Sequence, residues 1–150
     1  MVRASVKDFL LKGHNIPVID VRSPGEFQEG HITGAFNIPL FSDEERAQVG
    51  TTYKQSGRMQ AIDLGLDIVG PKMRRLADAA KEISHDCQVK VHCWRGGMRS
   101  EKMAWLFELV GLHVTVLEGG YKSFRNHLLE DFKNLPKLIV LDGPTGCGKT

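Results

Sequence analysis

Cysteine is scarce in this chain, and its few occurrences form no pattern. Cys87, Cys93 and Cys147 are the only three among 150 residues. An odd number without paired spacing argues against a disulfide framework, and the spacing matches no zinc site. We therefore expect a protein of a reducing compartment, the cytoplasm, with no bound metal.

Long apolar runs are also missing. No stretch approaches the ~20 apolar residues that a membrane-spanning helix needs, and the N-terminus lacks the apolar core of a signal peptide. We therefore expect no membrane partner. The composition, 41% hydrophobic and 25% charged, is ordinary for one soluble α/β domain.

A strong charge of either sign is absent, since the net charge is only +2. The charge is nevertheless uneven, because residues 72–150 carry thirteen basic and nine acidic side chains. This excess suits an anionic substrate or RNA. On charge alone, a solvated basic face explains it equally well.

The most informative stretch is Val89–Ser100. A short β-branched run ends at Cys93, passes through Gly96 and Gly97, and opens a helix. Apolar residues at helical spacing indicate that helix, and Gly111 predicts its end; they are Met103, Leu106, Phe107 and Val110.

A thiol at such a strand-to-helix junction meets unpaired backbone N–H groups and the positive end of a helix dipole. These surroundings favour the nucleophilic thiolate and cradle an anionic group on the sulfur. We therefore predict Cys93 as nucleophile and Arg99 as its cationic partner, although a free cysteine is more commonly a small core residue. The predicted anion-binding loop consists of Trp94, Arg95, Gly96, Gly97 and Met98.

Strands and helices alternate along the chain. We predict a mostly parallel sheet with helices on both faces, and a ligand site beyond the carboxyl ends of the strands. The predicted strands are 16–22, 36–39, 89–92, 114–117 and 138–141. The predicted helices are 5–12, a turn at 23–27, 42–57 with a less clear continuation over 58–66, 72–83, the helix after the cysteine loop, and one marked by Tyr121, Phe124, Leu128 and Phe132.

The last eight residues satisfy G-x-x-x-x-G-K-[ST], the Walker A pattern, and directly follow an apolar run. The pattern predicts that backbone amides and Lys149 hold phosphates and that Thr150 faces Mg²⁺. Because the sequence stops inside this motif, we expect residues 1–134 to form one domain and 135–150 to begin a truncated second domain. No cofactor is expected on this fragment, and ATP with Mg²⁺ or another phosphorylated ligand is expected only for a longer protein. The predicted phosphate-binding residues are Gly143, Gly146, Gly148, Lys149 and Thr150.

The segments Asp20–Phe27 and Gly30–Pro39 resemble the N-terminal signature of rhodanese domains. The resemblance implies a rhodanese-like α/β fold and transfer of sulfur or selenium through a persulfide or perselenide on Cys93. Within the signature we expect Arg22 and Glu26 to pair across a turn, and His31 to be a hydrogen-bonded turn residue.

An alternative comes from His92-Cys93, five residues, then Arg99-Ser100. This arrangement is similar to the signature of cysteine-dependent phosphatases, including those of rhodanese fold. A third possibility is that the rhodanese domain is a non-catalytic module that binds tRNA or another partner.

The segments Gln48–Gly57, Gly70–Lys72 and Cys93–Ser100 resemble the family of tRNA 2-selenouridine synthases, in which a rhodanese domain precedes a P-loop domain. This resemblance implies replacement of sulfur by selenium in the wobble 2-thiouridine of tRNA. Selenophosphate is then the donor, and geranyl diphosphate an additional partner. On this hypothesis Trp94 and Arg95 contact the tRNA base, although core packing explains Trp94 equally well.

Overall fold

The computed structural model describes residues 1–13 and 15–134. In this part of the chain five strands form one parallel sheet. They are β1 (Val2–Ala4), β2 (Val18–Asp20), β3 (Phe36–Asn37), β4 (Gln88–His92) and β5 (His113–Leu117). Their spatial order is β1-β5-β4-β2-β3. The strand that precedes Cys93 is therefore the central one.

Seven α-helices and one short 3₁₀ turn accompany the sheet in the described residues. The helices are α1 (Val6–Leu11), α2 (Pro24–Gln28), α3 (Asp43–Ser56), α4 (Arg58–Val69), α5 (Met73–Ile83), α6 (Met98–Leu109) and α7 (Gly120–Lys133), and the 3₁₀ turn is Gly70–Lys72. Among residues 1–13 and 15–134, no helix has the length and apolar character needed to cross a membrane.

Two apolar clusters lie on opposite faces of the sheet. Val89 and Val91 of β4 belong to the larger cluster, which contains the buried side chains of α5 and α6. Lys90, between them, turns to the other face, where its Nζ donates to the Phe9 carbonyl of α1 at 2.5 Å. The second cluster includes Phe9 of α1 and Phe124 of α7. The predicted parallel α/β fold with helices on both faces is thus confirmed.

Two predicted helices differ from the structure. The run from Ser42 to Leu66 is divided into α3 and α4 because Gly57 adopts φ 93°, a left-handed conformation that ends the first helix. In α7 only the first turns are buried, since Leu128 is 36% and Phe132 67% exposed. The predicted strand 138–141, the Walker motif and the boundary at residue 135 lie outside the described residues.

Candidate functional site

Cys93 is the first residue after β4, at the carboxyl edge of the sheet. Its side chain is 3% exposed. The Sγ atom lies 3.3 Å from the Ser100 Oγ and 4.0 Å from the Gly97 carbonyl oxygen. The Ser100 hydroxyl also lies 3.0 Å from that carbonyl. The Ser100 hydroxyl can donate to the Gly97 carbonyl while Cys93 is a thiol, and to the Cys93 sulfur once it is a thiolate.

The start of α7 holds the first part of the cysteine loop. The Tyr121 amide donates to the Cys93 carbonyl at 2.8 Å, and the Lys122 amide donates to the Trp94 carbonyl at 3.0 Å. Free carbonyl oxygens at these two positions would repel an anion, but both accept hydrogen bonds from backbone amides of α7.

Gly120 makes this close approach possible. A Cβ at Gly120 would lie 2.3 Å from the Cys93 oxygen and 2.5 Å from the Gly96 nitrogen, and its φ of +60° also favours glycine. The backbone of the cysteine loop and the backbone of α7 are therefore in direct contact at Gly120, with no side chain between them.

A cavity of about 530 Å³ opens beside the thiol. Five of the predicted site residues line it, whereas Gly96 is buried in the loop and Met98 is 45% exposed without lining the cavity. Three further lining residues come from α3 and were not predicted as site residues. The complete lining is Gly50, Tyr53, Lys54, Cys93, Trp94, Arg95, Gly97 and Arg99.

Arg99 reaches the cavity already paired with a carboxylate. Its Nη1 donates to the Glu26 Oε2 at 2.7 Å, and the Arg46 Nε lies 3.7 Å from the same oxygen. Burial of Glu26 would raise the pKa of its carboxyl group, but the hydrogen bond and charge of Arg99, with smaller effects of Ser23 and Arg46, leave that pKa below its usual value of 4.5. Glu26 is therefore the anionic neighbour of the predicted cationic partner.

The predicted pairing of Arg22 with Glu26 is wrong. Arg22 instead binds Asp20, with Nη2 at 2.6 Å from Oδ2, and donates to the Gly30 carbonyl at 2.7 Å. Residues two apart at the end of a strand point to the same side, which brings this pair together. Both side chains are almost completely buried, and the Arg22 guanidinium lies 4.1 Å from the centre of the Tyr121 ring.

His92 is buried under the same loop. Neither ring nitrogen has a hydrogen-bond partner in the described structure, and Nε2 lies 3.7 Å from the Asp20 Oδ2. Burial lowers the pKa of His92 to about 4, because the opposing effect of the Asp20 charge is smaller and Arg22 adds to the lowering. The imidazole is neutral at physiological pH.

The aromatic residues of the site divide into packed and open positions. Trp94 lies 5.9 Å from the Tyr121 ring centre and 5.8 Å from the Arg22 guanidinium carbon, so one part of it is packed while it also lines the cavity. Tyr53 is 58% exposed. His31 is a turn residue, as predicted: its Nδ1 lies 2.9 Å from the Phe27 carbonyl, and its ring stacks on Phe27 at 3.9 Å.

The α3 residues and Glu26 lie within the segments that carry the family resemblances, Gln48–Gly57 and Asp20–Phe27, but they were missed as site residues because no spacing within those segments places them beside Cys93. A signal did exist in α3, which lacks an apolar stripe and yet carries a tyrosine beside a lysine near its C-terminus. The predicted phosphate-binding residues from Gly143 to Thr150 lie outside the described residues.

Known proteins are similar in sequence to this chain over most of its length. Relatives from Bdellovibrio bacteriovorus and Nitrosomonas europaea, both named tRNA 2-selenouridine synthase, are each 44% identical, over 142 and 140 residues. These alignments cover 91% and 89% of this chain, but 37% and 36% of the relatives. The chain thus spans little more than a third of the length of these curated relatives.

Solved structures of other proteins have the same fold as this chain, and one of them is also similar in sequence. The N-terminal domain of a Clostridium difficile 630 protein, named as a candidate ATP/GTP-binding protein, is 38% identical with a TM-score of 0.79, and the match covers 86% of this chain and 99% of that one. A rhodanese-related protein from Thermoplasma volcanium is 20% identical with a TM-score of 0.54, over 85% and 93% of the two chains, and shares the fold. The rhodanese-like domain family matches residues 3–127. The chain therefore belongs to the family of rhodanese-like domains.

Proposed function

We propose that this chain is the chalcogen-transferring domain of a tRNA-modifying enzyme, with Cys93 as nucleophile and carrier. The supporting observation is a nearly buried thiol at the carboxyl edge of the sheet, facing a cavity whose lining, among the described residues, includes three cations and no carboxylate. The names of the curated relatives support 2-selenouridine in tRNA as the product, and the resemblance to the synthase family supports 2-thiouridine as its precursor.

With thiosulfate as donor, the proposed step conserves both atoms and electrons. The Cys93 thiolate attacks the outer sulfur, a new S–S bond forms, and the S–S bond of thiosulfate breaks. Sulfite leaves with the electron pair, and a persulfide stays on Cys93. Loop amides from Trp94 to Arg99 and the Arg99 guanidinium stabilise the anions on either side of the step.

For the whole enzyme, the resemblance to the synthase family supports selenophosphate as donor, tRNA and geranyl diphosphate as partners, and a cytoplasmic location. A nucleotide with Mg²⁺ belongs to the same proposal through the Walker motif. The Walker motif lies outside the described residues.

Intact mass spectrometry after incubation with thiosulfate, or with its selenium analogue selenosulfate, tests the proposal, because sulfite leaves with the electron pair in both cases. We expect one added chalcogen atom on the wild-type chain and none on Cys93→Ser. Cys87→Ser is the matched control, because Cys87 is exposed and lies at the other end of β4. An adduct that persists in Cys93→Ser, or selenation at full rate by a longer enzyme carrying that substitution, would overturn the catalytic role and favour a non-catalytic binding module.

A cysteine-dependent phosphatase is the second candidate, favoured by the spacing from His92 to Ser100. Such an enzyme also needs a general acid for its leaving group. Glu101, one of two nearby candidates, pairs with Arg3, and the other, Glu118, is exposed at the end of β5. Neither lines the cavity, which argues against this reaction.

A further inference from the structure

Helix α3 contributes unusually little to the core. It has 14 residues and buries none of its side chains, whereas α7, of the same length, buries Gly120 and Phe124. A helix that is polar on every face gains little from apolar packing. What α3 presents to its surroundings therefore needs a reason other than core formation.

Polar contacts fix α3 at its N-terminus. Both carboxylate oxygens of Asp43 accept from the Gly25 amide at 3.0 Å, which ties α3 to α2. Glu45 accepts from the Ser42 amide at 2.8 Å and from the Lys72 Nζ at 2.5 Å. The helix is thereby anchored, and its later turns bring Gly50, Tyr53 and Lys54 to the cavity that contains Cys93.

Gly50 has no packing reason to be glycine. It lies inside the helix, and a Cβ there would meet no atom of the described residues within 4 Å. Glycine in a helix interior is destabilising relative to alanine. Because Gly50 has no side chain, the cavity that it lines stays wide.

The cavity is larger than a chalcogen donor requires. A donor of five heavy atoms fills roughly the volume of five water molecules, at about 30 Å³ each. The open cavity of about 530 Å³ beside Cys93 falls instead in the range of pockets that hold larger organic ligands. Lys54, Arg95 and Arg99 are the charged residues of its lining, so the occupant is expected to be anionic.

We propose that α3 forms one wall of a binding site for a single unstacked nucleotide of RNA, in which the Tyr53 ring stacks on the base and Lys54 pairs with a phosphate. This inference rests on the proposed function, since it places the target nucleotide beside the chalcogen atom that Cys93 carries. Proteins read RNA mainly through unstacked bases held on aromatic side chains. Within the described part of the chain, Tyr53 makes no aromatic contact, so its ring is free for such stacking.

Fluorescence anisotropy with an anticodon stem-loop RNA carrying 2-thiouridine at the wobble position tests this site. We expect Tyr53→Ala to weaken binding roughly fivefold or more, as loss of base stacking does. Lys54→Ala should weaken binding and reduce the dependence of log K on log salt by about 0.7 to 0.9, the change for one lost phosphate contact. Gly50→Leu should block binding by filling the cavity.

The same variants are tested for sulfur loading from thiosulfate, which needs only Cys93 and its loop. We expect each of the three variants still to acquire the sulfur adduct and to unfold cooperatively, with slower loading in Gly50→Leu because its side chain narrows the approach to the thiol. Phe132→Ala on α7 and Lys81→Ala on α5 are the matched controls, because both residues are exposed and neither lines the cavity. Both controls should bind RNA as the wild type does.

Different results would overturn the nucleotide site on α3 and the proposed chalcogen transfer through Cys93. Absence of RNA binding by the wild type, or unchanged binding in all three variants, would overturn the nucleotide site while leaving the sulfur adduct on Cys93 intact. Loss of sulfur loading together with RNA binding would also overturn it, because α3 would then organise the loop rather than contact RNA. Absence of the adduct in the wild type would overturn the proposed function.

Discussion

Arg99 and Glu26 are 73 residues apart in the sequence, yet the Arg99 Nη1 donates to the Glu26 Oε2 at 2.7 Å. The side chains are 27% and 16% exposed, so solvent screens the pair only in part. Glu26 also accepts from the Ser23 amide at 3.2 Å, which ties the carboxylate to the start of α2. The guanidinium beside the reactive loop is therefore held in place and partly neutralised.

Replacing Glu26 by Gln should remove a stabilising carboxylate. Since the pKa of Glu26 lies below 4.5 in the folded chain, its contribution is fully present above pH 4.5 and is lost as the pH falls through the lowered value. We expect Glu26→Gln to be about 1 kcal/mol less stable at pH 7 and to lose less stability below pH 4.5. Denaturant unfolding at a series of pH values measures both effects.

Glu29→Gln is the control for this prediction, because Glu29 is exposed at the end of α2. It should keep the wild-type stability and its acid dependence. Parallel pH curves for the wild type and Glu26→Gln would show that the carboxylate adds nothing to the fold.

His92 should make the chain sensitive to a different pH range. Its pKa is about 4 in the folded chain against 6.5 unfolded, so the unfolded chain binds the proton first as the pH falls. Stability should decline from pH 6.5 to 4 by about 3 kcal/mol in total, at 1.36 kcal/mol per pKa unit. In His92→Gln this decline should be absent.

The exposed His113 provides the comparison for that experiment. His113→Gln should retain the wild-type slope between pH 6.5 and 4, since its side chain is in solvent. If His92→Gln keeps the slope as well, the buried imidazole is not its source.

Gly120 should be among the least replaceable residues of the chain. Gly120→Ala places a Cβ 2.3 Å from the Cys93 oxygen at a φ of +60°, so both strain and a backbone clash oppose it. We expect a loss of about 3 kcal/mol or more, with slower sulfur loading of Cys93. Chemical denaturation and the loading time course are the measurements.

Gly111→Ala separates the two causes. Gly111 also has a positive φ, of 91°, but a Cβ there meets nothing within 4 Å. This variant should lose only about 1–2 kcal/mol, from strain, and load sulfur normally. Equal losses in the two variants would mean that contact with the cysteine loop is unimportant.

The elements that the sequence predicted well are those specified by near neighbours. Met103 and Phe107 are buried on α6 as their helical spacing predicted, and Ser5 caps α1 by accepting from the Asp8 amide at 3.2 Å. The position of Cys93 after the central strand followed from the short β-branched run before it and the alternation of elements.

The parts that could not be predicted depend on which distant segments meet. Glu26 was assigned to Arg22 because the two are close in sequence, but Arg22 turns to Asp20 and Glu26 meets Arg99 through the order of strands in the sheet. The position of Tyr53 and Lys54 likewise involves distant segments, since α3 is tied to α2 by the bonds from the Gly25 amide to the Asp43 carboxylate. No periodicity within α3 encodes that contact.

The last prediction separates chalcogen transfer from phosphate ester hydrolysis. Both reactions need Cys93 and Arg99, so loss of either side chain cannot distinguish them. A phosphatase needs in addition a carboxylic acid near the leaving group. The described cavity has none in its lining, and Glu26 is paired with Arg99. We therefore expect little or no turnover of an aryl phosphate, while thiosulfate adds one sulfur to Cys93 under the same conditions. Efficient phosphate release without a sulfur adduct would favour the phosphatase.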